Sequence, residues 1–245
     1  MRILGNVAYK GSAYQGWQKQ INANSIQQEI ETVLSKVFNE PIKIYGSGRT
    51  DSGVHAYGQT FHFDITKCDL DLERLKYSIN SLLPEDILIN NFTFVNDDFH
   101  ARISAKSKCY EYIIEKCSKD CFNSDILDVE KEDFDLNKFQ EILTYFNGEH
   151  NFMNFTSKEE DEQNFIRNIY SIGVENNVNL IHVTLVGNGF MRYMIRYIIG
   201  TALAYSRNKI TKDEIITLLN PVSSQRNIVS YKASPNGLYL KEVQY

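Results

Sequence analysis

Gly46-Ser47-Gly48-Arg49-Thr50-Asp51-Ser52-Gly53-Val54-His55-Ala56-Tyr57-Gly58-Gln59 joins two strand-like runs, 42–45 and 59–65. The second run alternates Phe61, Phe63 and Ile65 with His62 and Asp64, the period of a strand with one buried face. An ordinary connection between strands is shorter and needs fewer than four glycines. This one also sets a cation, a hydroxyl, an anion and an imidazole between Arg49 and His55. Glycines on both sides allow positive φ and a close approach of backbone to a ligand. Asp51 is therefore either half of a local ion pair in a tight turn or a carboxylate presented for chemistry.

Working outward, 3–9 reads as a strand, and a loop over 10–20 carries the only tryptophan, Trp17. Ser25 is a good N-cap with Gln28 placed to complete a capping box, and Ile26, Ile30, Val33, Leu34 and Val37 recur at helical spacing. A second helix is expected over 71–82, ended by Pro84, and a strand over 87–95. The second half begins with a strand over 108–117 and a helix over 136–146. Strands over 167–175 and 180–186 follow, joined by Asn176-Asn177-Val178-Asn179. A long helix over 189–207, a shorter one over 212–219 and a strand over 238–243 complete the chain. The order predicts an α+β fold of two similar halves, 1–104 and 105–245, each an antiparallel sheet with helices on one face, in the manner of RRM-like or ferredoxin-like repeats. The two sheets are expected to join around a central cleft.

The 245 residues suffice for one large domain or two smaller ones, and 14 Phe with 15 Tyr allow a substantial core. No apolar run is long enough to span a bilayer and the first residues form no signal peptide, so a cytoplasmic protein is expected. Cysteines at 68, 109, 117 and 121 show no CxxC pair; no metal is expected, and reduced thiols are. A net charge of −5 argues against nucleic acid only if it is evenly spread. Residues 120–162 hold 13 acidic and 3 basic side chains, whereas 176–212 contain no acid and carry Arg192, Arg196, Arg207, Lys209 and Lys212. Residues 99–110 are also acid-free and hold Arg102, Lys106 and Lys108. These two blocks are expected to be an electrostatic footprint for phosphate, with the acidic stretch facing away.

Gly48-Arg49-Thr50-Asp51-Ser52-Gly53-Val54-His55 resembles the GRTDxGVHA signature of the TruA family of tRNA pseudouridine synthases, whose aspartate is catalytic. Gly189-Phe190-Met191-Arg192-Tyr193-Met194-Ile195-Arg196 resembles the motif whose arginine pairs with that aspartate, which places this role on Arg196. Phe99-His100-Ala101-Arg102-Ile103-Ser104-Ala105 and the strand after it resemble the segment leading to the base-stacking tyrosine, which falls on Tyr110. By period two alone, Tyr112 shares that strand face. Gly237-Leu238-Tyr239-Leu240 resembles the C-terminal GLYL, whose leucine packs under the site, and Tyr14-Gln15-Gly16-Trp17-Gln18 extends the likeness towards the start. Ser52, Arg192 and Tyr197 depart from the usual pattern.

The resemblance implies an isomerase that converts uridine to pseudouridine in the anticodon stem-loop of tRNA, at positions 38–40. It implies a homodimer, no metal and no organic cofactor. Asp51 would be the nucleophile, and a guanidinium at Arg196 would keep it ionised. The two side chains are expected within about 4 Å of each other. Arg49 is placed to brace the stack left by a flipped base. His55 fits as a loop-shaping residue. Two other readings compete: a non-catalytic RNA-binding module with stacking aromatics, and a hydrolase using Asp51 with His55. The first does not need a carboxylate facing RNA; the second lacks a nucleophile or metal constellation.

Overall fold

The computed structural model describes residues 1–66, 69–116, 120–157, 164–221 and 225–245. Cys68 and Cys117 lie outside these residues, as do Glu159, Glu160 and Asp161 of the acidic stretch. Cys109 and Cys121 are not in disulfides. In chain order the elements are β1 (Arg2–Tyr9), α1 (Ile26–Phe38), β2 (Tyr45–Gly46), β3 (His55–Asp64), α2 (Leu72–Asn80) and β4 (Ile87–Val95). Then come β5 (Ser107–Lys116), β6 (Asp128–Glu130), α3 (Leu136–Thr144), β7 (Gly148–Asn151), β8 (Ile166–Asn177) and β9 (Leu180–Gly187). The last are α4 (Met194–Ser206), α5 (Lys212–Leu219) and β10 (Leu238–Gln244). The strands pair mostly antiparallel, with helices beside them. Two compact units divide the chain: Met1–Lys106 with Tyr239–Tyr245, and Ser107–Leu238.

In the first unit the strand order is β4-β1-β3-β10, with β2 on β3. β1 pairs antiparallel with β3 (Gly5 opposite Phe61) and with β4 (Ile3 opposite Phe94). Phe61 and Phe63 are fully buried, and Phe38 of α1 meets Phe63 at 6.2 Å, so the alternation read from the sequence does set the core face. Ser25 caps α1 by accepting from the Gln28 N–H. Asp71 does the same for α2, accepting from Glu73 and Arg74. The expectation of a purely antiparallel sheet is corrected here. β10 pairs parallel with β3, Tyr239 opposite His55. A parallel neighbour needs a long connection, and nearly the whole second unit supplies it. β3 also begins at His55, so the end of the signature is already strand.

The second unit runs β5-β9-β8-β7, with the short β6 parallel to β5. The β8–β9 connection works as expected, although the positive φ it needs falls on Val178 (53°) and not on an asparagine. The helix expected over 189–207 starts only at Met194, because Tyr193 sits in the left-handed region at φ 62° and interrupts helical geometry before it. Arg192 and Arg196 are thus not neighbours on one helix face. α4 is not amphipathic either: every residue except Tyr205 is buried, and α3 packs beside it. Gly200 lets the chain at 231–233 cross directly over it, since a Cβ there would stand 2.8 Å from the Lys232 and Ala233 nitrogens.

The basic block is also corrected. Arg207 forms an ion pair with Glu130 and Lys209 reaches Glu132 at 2.7 Å. Lys212 reaches Glu141 at 3.1 Å. Three of its five cations therefore face the acidic stretch, and that end of the block is not a bare footprint for phosphate. Clustered carboxylates are stabilised by cations from elsewhere in the fold, and local sequence composition does not reveal such pairings.

Candidate active site

The signature loop rests on the segment that precedes α1. The Trp17 N–H donates to the Thr50 carbonyl (3.1 Å), the Gly11 N–H to His55 Nδ1 (3.1 Å), and Ser52 Oγ to the Tyr14 carbonyl (3.2 Å). Gly16 lies at φ 91°, and a Cβ on it would stand 2.6 Å from the Thr50 carbonyl oxygen. No other residue permits both that conformation and that approach. Beneath the loop, Tyr9 Oη and Thr50 Oγ1 share a buried hydrogen bond of 2.8 Å, and burial raises the Tyr9 phenol well above its usual range. Gln59 ties the loop's first half: it accepts from Ser47 Oγ at 2.6 Å and donates to the Gly48 carbonyl at 3.1 Å. Asp51 emerges half-buried from this frame, with the Val54 N–H donating to its own carbonyl (3.2 Å).

Arg49 is exposed, and its direction is set by a relay of side chains. Its Nε donates to Gln18 Oε1 (3.1 Å), Gln18 Nε2 to Gln27 Oε1 (2.8 Å), and Gln27 Nε2 to Glu31 Oε1 (3.0 Å). Glu31 is buried and also accepts from Lys19 Nζ and the Ile44 N–H. A buried carboxylate with several donors is a rigid anchor. Sequence reasoning missed Gln27, Glu31, Tyr9 and Gln59, because each acts through a partner distant in the chain. Only the helical spacing of Gln27 and Glu31 hinted at a pair. His55 is buried and its ring stacks on Tyr239 at 4.6 Å, which in turn stacks on the half-exposed Tyr57 at 4.9 Å.

In the second unit, Tyr110 on β5 meets Phe190 edge-on at 5.2 Å with 8% of its surface exposed. Tyr112, which period two alone could not separate from it, is fully buried, its hydroxyl 2.5 Å from Asp128. Arg196 stands in the first turn of α4, buried, with Nε donating to the Ala233 carbonyl at 2.8 Å. Leu238 is buried at the start of β10, its N–H donating to the Pro235 carbonyl. Among the described residues, no group of three or more His, Cys, Asp or Glu side chains could hold a metal ion. Also among them, no helix is long and apolar enough to cross a membrane.

A family model described as tRNA pseudouridine synthase (PseudoU_synth_1) matches residues 6–103 and 142–245, and the chain belongs to that family. Among similar proteins, the tRNA pseudouridine synthase A of Streptococcus uberis is 37% identical over all of this chain and 98% of its own length. That of Staphylococcus saprophyticus is 34% identical over 99% of this chain and 90% of its own, and that of Lactococcus lactis strain IL1403 is 35% identical over 100% and 97%.

Proposed function

We propose that this protein isomerises uridine to pseudouridine in tRNA, at positions 38–40 of the anticodon stem-loop. The observation that carries the reading is the family match along both parts of the chain, together with Asp51 held in a loop braced from three directions. A uridine within a stem is out of reach, so it is flipped out at a cost of a few kcal/mol. Tyr110 stacks on the flipped base, Leu238 packs beneath it, and Arg49 braces the vacated stack. Asp51 attacks the nucleotide as nucleophile. The bond from N1 to the ribose C1′ breaks, the base rotates, and C5 bonds to C1′. The bond that Asp51 formed breaks again and returns the carboxylate, C5 gives up its proton, and N1 ends protonated.

Arg196 pairs with Asp51 in this mechanism. A carboxylate facing RNA phosphates under a flipped base would otherwise gain a proton. With Nε fixed on Ala233, the Nη groups of Arg196 present a planar grip suited to a carboxylate. We take the halves as 1–104, which holds the catalytic loop, and 105–245, which holds the arginine helix. No metal or organic cofactor takes part, and the protein acts as a cytoplasmic homodimer. The test is incubation with unmodified tRNA transcript followed by mapping of pseudouridine. Product at positions 38–40 supports the reading, and its absence there refutes it.

A further inference from the structure

Two paths of hydrogen bonds run side by side from the signature loop to α1. On the backbone path, the Trp17 N–H donates to the Thr50 carbonyl (3.1 Å) and the Gln27 N–H to the Trp17 carbonyl (3.0 Å). Trp17 is buried, with 2% of its surface exposed, so this path fixes the spacing of the three segments. The side-chain path is the relay from Arg49 through Gln18 and Gln27 to Glu31. Its junction is Gln27. There Oε1 accepts twice, from Gln18 Nε2 (2.8 Å) and the Lys19 N–H (3.1 Å). Nε2 donates twice, to Glu31 Oε1 (3.0 Å) and the Ile44 carbonyl (3.2 Å).

A primary amide has two N–H donors and an oxygen with two lone pairs, and Gln27 uses all of them. Turned over, it would set its N–H groups against two donors and its oxygen against a carbonyl and a carboxylate. The Lys19 N–H and the Ile44 carbonyl belong to the backbone and cannot reverse. Gln27 therefore has one orientation, which obliges Gln18 to donate through Nε2 and to offer Oε1 to Arg49 Nε. Glu31, which ends the path, is buried and pairs with Lys19 Nζ at 3.1 Å. It stands two amides away from Arg49. A carboxylate placed directly on Arg49 would also aim it, but would offset the charge it presents to substrate. Neutral amides hand on the orientation and leave the charge in place.

We propose that Gln27 is a positioning residue for base flipping: through Gln18 it holds the Arg49 guanidinium ready for the space that the uridine leaves. That role rests on the pseudouridine-forming reading above, and adds residues that act at one remove from the substrate. The bond at Nε fixes the plane of the guanidinium and uses neither Nη. A long side chain ordered before the substrate arrives needs no further ordering when the base turns out. Gln27 is half-buried and Arg49 exposed, so the relay carries direction from α1 to the surface.

The test follows flipping by fluorescence, in an anticodon stem-loop transcript with 2-aminopurine beside the target uridine, whose emission rises when its neighbour unstacks. Rates of the rise at saturating protein are compared for wild type, Gln27→Leu, Gln18→Leu and Arg49→Ala, and for Arg49→Ala combined with each glutamine variant. Each glutamine variant should slow the rise about three- to tenfold, the scale of one long side chain left unordered. Arg49→Ala should slow it at least as much, and adding either glutamine variant to it should change nothing further, because the relay acts through Arg49 alone. A glutamine with only a structural role would multiply its effect on that of Arg49→Ala, and that result overturns the proposal. So does a wild-type rate in Gln18→Leu, which decides the matter even if Gln27→Leu fails to fold, and so does the absence of any rise with wild type. Pseudouridine is mapped separately in unmodified tRNA transcript. Coupled slowing without product would keep the relay and remove the isomerase reading, and product with uncoupled rates would do the reverse.

Discussion

The Tyr112 hydroxyl lies 2.5 Å from a carboxylate oxygen of Asp128 and 2.8 Å from the Ser234 carbonyl oxygen. A phenol has one proton and cannot donate to both. If Asp128 is protonated it can donate to Tyr112, which then donates to Ser234, and all three groups are satisfied. Burial, the largest influence, pushes the Asp128 carboxyl up to about 6. A raised folded-state pKa means that the native protein holds this proton more tightly than the unfolded chain does. Its stabilising effect is thus fully present below about pH 4 and is lost as pH rises to about 6. Compared with Asp128→Asn, wild type should lose roughly 2–3 kcal/mol of stability across that interval. Denaturant titrations of both proteins at pH 4, 5, 6 and 7 check this, and parallel pH profiles would contradict it.

His62 has the opposite sign. It is buried, its Nδ1 accepts from the Ala101 N–H at 3.1 Å, and desolvation, followed by the Arg2 charge, lowers its pKa to about 4. The native state therefore holds His62 neutral while the unfolded chain protonates it below about 6.5, so stability should fall as pH drops from there to about 4. His62→Gln should show a shallower loss over that window. An unchanged acid limb of the stability profile would mean that the imidazole does not titrate differently on unfolding.

Asp51→Asn is expected to abolish pseudouridine formation and keep tRNA affinity within about tenfold, because it removes the proposed nucleophile and one unfavourable charge. Arg196→Lys should fold and react slowly, since it keeps the charge and loses the planar fork. Arg196→Ala should lose more activity and about 1–3 kcal/mol of stability as well, because the buried Ala233 carbonyl loses its donor. Single-turnover rates read beside thermal midpoints separate the two effects.

Tyr110→Phe should retain stacking and most affinity, whereas Tyr110→Ala should lose base placement. Equal single-turnover rates for the two variants would remove the stacking role.

Gly16→Ala tests whether the segment before α1 holds the signature loop. Its positive φ and the 2.6 Å approach to the Thr50 carbonyl leave no room for a methyl group. The variant should lose about 1–3 kcal/mol of stability and displace Asp51 enough to slow turnover at least tenfold. Wild-type kinetics in this variant would show that the loop keeps its shape without that support.

Much of the element order was legible because hydrophobic periodicity is local. Phe61 and Phe63 on β3, the Ser25 cap and the Ile26, Ile30, Val33 and Leu34 face of α1 all follow from neighbours a few residues apart. The start of α4 was not legible: residues 189–193 have helical composition, and the left-handed Tyr193 reflects what surrounds it. Basic residues that looked like one footprint were divided by the fold, with Arg207, Lys209 and Lys212 on carboxylates and Arg192 with Arg196 at the Tyr193 ring.

By itself, the sequence determined the family, the candidate nucleophile and the strands and helices whose pattern repeats within one element. Signature residues are contiguous, and periodicity needs no partner. Tertiary structure alone decided that β10 lies parallel to β3, that Tyr112 is occupied by Asp128, and that Glu31 orients Arg49 through two glutamines. Each of these joins groups far apart in the chain or through intermediaries. Their geometry exists only once buried polar groups have found the partners that folding brings to them.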